Sequence, residues 1–94
     1  MEDAKYFSVL AHVTPREAAY SIRRESPQCI ALICKYLSPD IIHALFEYFD
    51  DEKVDMILKR LASETVVRRS LVEKINTKII ERVADIRDPA EMER

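Results

Sequence analysis

Residues 14–61 read TPREAAYSIRRESPQCIALICKYLSPDIIHALFEYFDDEKVDMILKRL, and three prolines in this stretch, Pro15, Pro27 and Pro39, stand twelve residues apart. Each follows a hydroxyl residue: Thr14, Ser26 and Ser38. A Ser or Thr side chain accepts from the free N–H groups of a first helical turn, and proline fits the next position because its missing N–H would have no partner there. Three such starts at one fixed step describe short helices laid end to end with almost no loop. Asp50-Asp51-Glu52 supplies another start, with acids at the helix end where the dipole favours them. The boundaries therefore fall near 14, 26, 38 and 50. Helical stacks of this kind usually present a surface to another protein and seldom enclose a reaction.

Within these segments the apolar residues recur at three and four rather than at two, which is a helical period. The helix entered at Pro15 has a capping box, Thr14 with Glu17 three residues on, and turns Ala18, Ala19 and Ile22 inward. Arg23 and Arg24 sit at its C-terminal end. The segment from Pro27 to Leu37 is the most apolar, with a stripe of Ile30, Ile33, Cys34 and Leu37. The next, Pro39 to about Tyr48, carries Ile42, Leu45, Phe46 and Phe49, and the one capped by Asp50 carries Val54, Ile57, Leu58 and Leu61. Upstream, Tyr6, Phe7, Leu10 and Ala11 predict a first helix over 4–11. Downstream, 62–67 has no clear period, and a longer helix then turns Leu71, Val72, Ile75, Ile79, Val83 and Ile86 inward and ends before Pro89.

The expectation is an all-α, armadillo-like right-handed helical stack of five or six short helices, a single domain over 1–88 followed by a flexible tail over 89–94. Burial is expected to be deepest at Ile30, Ile33, Leu37, Leu45, Phe46, Ile57, Leu58 and Ile75. Tyr36, Ile41, Tyr48 and Val67 exceed what one small core can hold. Two arrangements follow. The one expected is an apolar end face of the first and last helices that pairs weakly with a second copy or is covered by a partner. The alternative is that the first segment folds back, caps the stack and buries Phe7 and Leu10 within its own chain.

Composition narrows the function classes. The 94 residues include no glycine, which excludes the glycine-rich phosphate loops of nucleotide-binding folds. With 15 basic and 17 acidic residues the formal charge is -2, so nothing points to a nucleic acid or an anionic membrane. No apolar run approaches the roughly 18 residues needed to span a bilayer. Cys29 and Cys34 lie about 140° apart around one helix, poor geometry for a local disulfide, and read as free thiols of a cytosolic protein. His12 and His43 join no zinc-ligand spacing, and no nucleophile has a base and an orienting group at motif distance. Arg68-Arg69-Ser70-Leu71 reads as a solvated helix start. The expectation is no catalytic residue, no metal and no cofactor.

The stretch Ile22 to Leu61 resembles the middle domain of the bacterial flagellar motor switch protein FliG. Glu25-Ser26-Pro27-Gln28 stands where that family has Glu-His-Pro-Gln, Ile30-Ala31-Leu32-Ile33-Cys34 where it has its apolar helix, and Leu37-Ser38-Pro39-Asp40 where the next helix begins. Arg60-Leu61-Ala62 matches the closing segment, and the likeness covers roughly residues 18–84. Ser26 replaces the family's histidine, keeping a cap and a hydroxyl but losing the ring. The resemblance implies a non-enzymatic scaffold module of a switch assembly, bacterial and motility-related. It implies a FliM-like partner and neighbouring modules or itself as a second partner, with no nucleic acid and no direct membrane insertion. The location it implies is cytoplasmic, peripheral to the inner membrane through a flagellar assembly. Carried onto this chain, the partner-binding residues are Glu25, Pro27 and Gln28, joined by Arg24 and Ser26 as polar groups rimming an apolar spot. A second likeness, to the cytoplasmic N-terminal domain of MgtE-type magnesium transporters, implies instead a Mg²⁺-responsive regulatory domain with Asp50, Asp51, Glu52 and Asp55 as the acidic cluster.

Overall fold

Four capping side chains twelve residues apart set the architecture. In the computed structural model, which describes residues 6–63 and 66–86, a 3-10 turn over Ser8–Ala11 precedes α1 (Pro15–Ile22), α2 (Pro27–Cys34), α3 (Pro39–Phe46), α4 (Asp51–Leu61) and α5 (Arg69–Asp85). No strand occurs among the described residues. Thr14 Oγ1 accepts from the N–H of Glu17 at 3.1 Å while Glu17 Oε1 accepts from the N–H of Thr14 at 3.0 Å. Ser26 Oγ accepts from Cys29 N–H at 3.2 Å, Ser38 Oγ from Ile41 N–H at 3.4 Å and Asp50 Oδ1 from Lys53 N–H at 2.7 Å. Each such cap contributes about 1 kcal/mol. The armadillo-like all-α stack expected from the sequence is present, with starts where the capping residues place them.

Caps alone do not hold these helices. α1, α2 and α3 have 8 residues each, well below the roughly 12–15 at which an isolated helix is even marginal in water. Their persistence rests on burial. α2 makes its main packing against α4, while α1 packs against α3, α5 and the 3-10 turn. Between these elements lie Ile22, Ile30, Ile33, Leu45, Ile57 and Ile79, all fully buried. Each contributes about 1.5–3 kcal/mol.

Without glycine, α1 ends by another device. Its last carbonyls accept from cations on three segments: Tyr20 O from Arg23 Nη1 at 2.8 Å, Ser21 O from Arg82 Nη1 at 3.4 Å and Arg23 O from Lys53 Nζ at 2.6 Å. Positive charge at a helix C-terminus is favoured by the dipole, and these cations supplement the few backbone donors available to the last carbonyls of α1. Lys53 comes from α4 and Arg82 from α5, so the same bonds tie three helices together.

Several expectations need correction. The first segment is no α-helix where it is described: residues 1–5 lie outside the described residues, and Ser8–Ala11 is a 3-10 turn entered through Phe7 at φ 61°. A left-handed phenylalanine costs about 1–2 kcal/mol. Burial of its ring offsets this, since Phe7 is fully buried. Its ring centroid lies 5.6 Å from that of Tyr36, and its N–H donates to Asn76 Oδ1 on α5 at 2.8 Å. Phe7 and Leu10 are both buried within the chain, so the segment folds back and caps the stack, and these two residues form no exposed end face.

Leu37, Phe46 and Ile75 are half-buried instead of deepest, and Leu58 is 49% exposed. Adjacent residues on a helix point about 100° apart, and α4 is packed chiefly on α2. Ile57 takes the inward position and Leu58 is left outside. The same argument separates buried Val72 from Leu71, which is 49% exposed on α5. The expected tail, 89–94, lies outside the described residues.

Candidate partner-binding site

Residues 24–28 form the corner between α1 and α2. Pro27 restarts the chain after a single short turn in which Glu25 N–H donates to Ile22 O at 3.0 Å. Arg24, Ser26 and Gln28 are exposed, whereas Glu25 and Pro27 are half-buried. Ser26 is used as the cap of α2.

Glu25 faces inward. Its side chain is 15% exposed and its Oε2 accepts a short bond from Nη1 of Arg82, a residue 57 positions further along the chain. Burial opposes ionisation of this carboxyl, but the bonds from Arg82 and from the Cys29 thiol, with the positive charges of Arg82 and Lys78, outweigh it and hold the group below the ordinary 4.5. The Cys29 thiol is pushed up to about 11 by burial and by the hydrogen bond and charge of Glu25. Cys34, deeper in α2, is pushed up to about 11 by burial alone. Both thiols are free and neither is activated as a nucleophile at neutral pH.

The expected patch opens onto two separate surfaces. On one side, Ser26 and Gln28 line a groove of about 200 Å³ whose apolar lining includes Leu32, Val67, Leu71 and Ile75. Lys35 and Arg60 stand on its rim. The groove opens where α2, committed to α4, and α5, committed to α1, part from one another. It falls short of the roughly 300–1,000 Å³ of a typical small-molecule site and suits one or two side chains of a partner. On the other side, Arg24 lines a separate depression with Arg23, Arg82 and Asp85, where the Arg23 guanidinium lies 3.7 Å over the Tyr20 ring. Arg24 and Gln28 thus open onto different surfaces.

Arg82 and the outward Leu71 and Ile75 were not anticipated as part of the site. The first had no local signal, because a pair 57 positions apart is fixed only by packing. The second had one: Leu71 and Val72 are neighbours, so one helix could not turn both inward.

Two members of the acidic run have simpler roles. Asp50 caps α4 and Asp55 pairs with Lys59 at 3.1 Å on an exposed face. Among the described residues no group of three or more His, Cys, Asp or Glu side chains is placed to hold a metal ion, and His12 and His43 are both exposed. No helix of the described residues is long and apolar enough to cross a membrane.

Neither a curated protein nor a solved structure matches this chain. A family model does: that of the FliG middle domain matches residues 15–88, from the first helix-starting proline to beyond the end of α5. The match covers most of the sequence and all five helices, including the Glu25–Gln28 corner and both walls of the groove, and on that ground the chain belongs to the FliG middle-domain family.

Proposed function

We propose that this chain is a non-enzymatic interaction module that binds a FliM-like switch protein at the α1–α2 corner and the groove beside it, as part of a flagellar-type assembly on the cytoplasmic side. The observation that supports this best is the groove itself. The motif residues Ser26 and Gln28 form one wall, and the other carries half-exposed Leu71. An apolar centre ringed by hydrogen-bonding groups is the anatomy of a protein interface. In this reading Ser26, Pro27 and Gln28 touch the partner, Arg24 meets it from the neighbouring surface, and Glu25 holds the corner in place from behind.

Calorimetric titration with a FliM-like middle domain tests the proposal. Binding is expected for the parent chain, and a Gln28→Ala, Arg24→Glu double variant is expected to weaken it at least tenfold, through loss of a directional bond and introduction of a repulsive charge. Binding unchanged in the double variant would remove the corner from the interface. Titration with Mg²⁺ is the control for the transporter-like reading: millimolar or tighter binding that vanishes when Asp51 and Asp55 are neutralised would favour a metal-responsive regulatory domain instead.

A further inference from the structure

The groove continues past the family motif. Leu71 and Ile75, one turn apart on α5, form its far wall and also the near edge of a second depression bordered by Lys74 and Lys78. The apolar strip is therefore flanked by cations on both sides: Lys35 and Arg60 on one, Lys74 and Lys78 on the other. Among the described residues that line the two stretches, Glu81 is the acid. The first turn of α5 contains no acidic residue, and Arg68 and Arg69 stand there instead, so the positive end of the helix dipole adds to the same field. A chain with a net charge of -2 has gathered a positive frame around this apolar groove.

We infer that the α2–α5 groove takes an amphipathic helical segment of a partner protein, with two apolar anchors a turn apart and carboxylates on both flanks of that apolar stripe. This rests on reading the groove as the partner surface and adds what the partner must carry. The spacing follows from the walls: Leu71 and Ile75 are four residues apart on α5, Leu32 lies opposite on α2, and a helix laid between such ridges inserts residues at i and i+3 or i+4. The groove's size admits one or two such side chains and not a broad sheet face. Carboxylates on the flanks meet the lysines in water-exposed rim positions, where charge pairs govern encounter rate and choice of partner more than final affinity.

The test uses fluorescence polarisation with the full chain and three labelled helical peptides. One carries two leucines at i and i+4 flanked by glutamates, the second has those leucines changed to serine, and the third keeps the leucines with lysines as flanks. The first is expected to bind, with affinity falling as salt is raised, and the other two at least tenfold more weakly. Lys35→Glu with Lys78→Glu is expected to reverse the preference between the first and third peptides, and Leu71→Ser to abolish binding of both. Far-ultraviolet circular dichroism of the variants checks that all remain folded, which exposure of the substituted side chains favours. No binding of the first peptide, equal binding of the acidic and basic peptides, or binding that survives loss of the leucines would each overturn the inference. A switch protein that fails to bind while the first peptide binds would count against the proposed partner and leave the groove's chemistry standing.

Discussion

Replacing Arg82 with methionine keeps most of the side chain's length and removes the charge that answers Glu25. An exposed ion pair contributes about 0–1 kcal/mol, whereas stripping one partner from a fully buried pair costs about 3–5 kcal/mol. This pair lies between those limits, with side chains 15% exposed for Glu25 and 33% for Arg82. The variant also loses the bond to Ser21 O. A loss of about 1–3 kcal/mol is expected, a large part of the 5–15 kcal/mol that holds a small domain together. For a chain of this size each kcal/mol lowers Tm by about 4–8 °C. The pH dependence carries the sharper signature. The folded state holds the Glu25 carboxyl below its ordinary 4.5, so the pair's stabilisation is fully present above that pH and is lost as pH falls through the lower, folded value. Urea unfolding of both proteins from pH 7 down to pH 3 should show a gap that narrows on the acid side. A gap under 0.5 kcal/mol at pH 7, or one that stays constant to pH 3, would refute the view that this pair locks the α1–α2 corner onto α5.

Three further outcomes follow from the packing. Phe7→Ala should cost about 3–5 kcal/mol in urea unfolding, because a fully buried ring leaves a cavity beneath Tyr36; a loss below 1 kcal/mol would show that the N-terminal segment does not cap the stack. Leu45→Ala should destabilise by about 2–5 kcal/mol and Phe46→Ala by less than the usual 3–5, since Leu45 is fully buried and Phe46 only half so; the reverse order in thermal melts would contradict the orientation of α3. Above pH 9 the unfolded chain ionises its thiols first, while folded Cys29 and Cys34 resist until about 11. Stability should therefore fall between those values, and a Cys29→Ala, Cys34→Ala variant should fall less steeply over the same range.

Local chemistry fixed where helices begin. Thr14, Ser26, Ser38 and Asp50 each satisfy N–H groups within three residues of themselves, a bond that needs no other part of the chain. The four starts, and the short helices between them, were therefore legible from residue order, as was the position of the Glu25–Gln28 corner. Which face of each helix is buried was legible only in part. A three-and-four pattern names a broad apolar stripe, but the neighbours a helix actually meets decide how much of it is covered. Ile57 and Val72 went in while Leu58 and Leu71 stayed out. The left-handed turn at Phe7, the cations from α4 and α5 that end α1, and the inward pull of Arg82 on Glu25 join residues far apart in the chain. No local propensity encodes such pairs. They exist because burial brings the helices together, and the groove exists because α2 and α5 are each held more firmly by another helix than by one another.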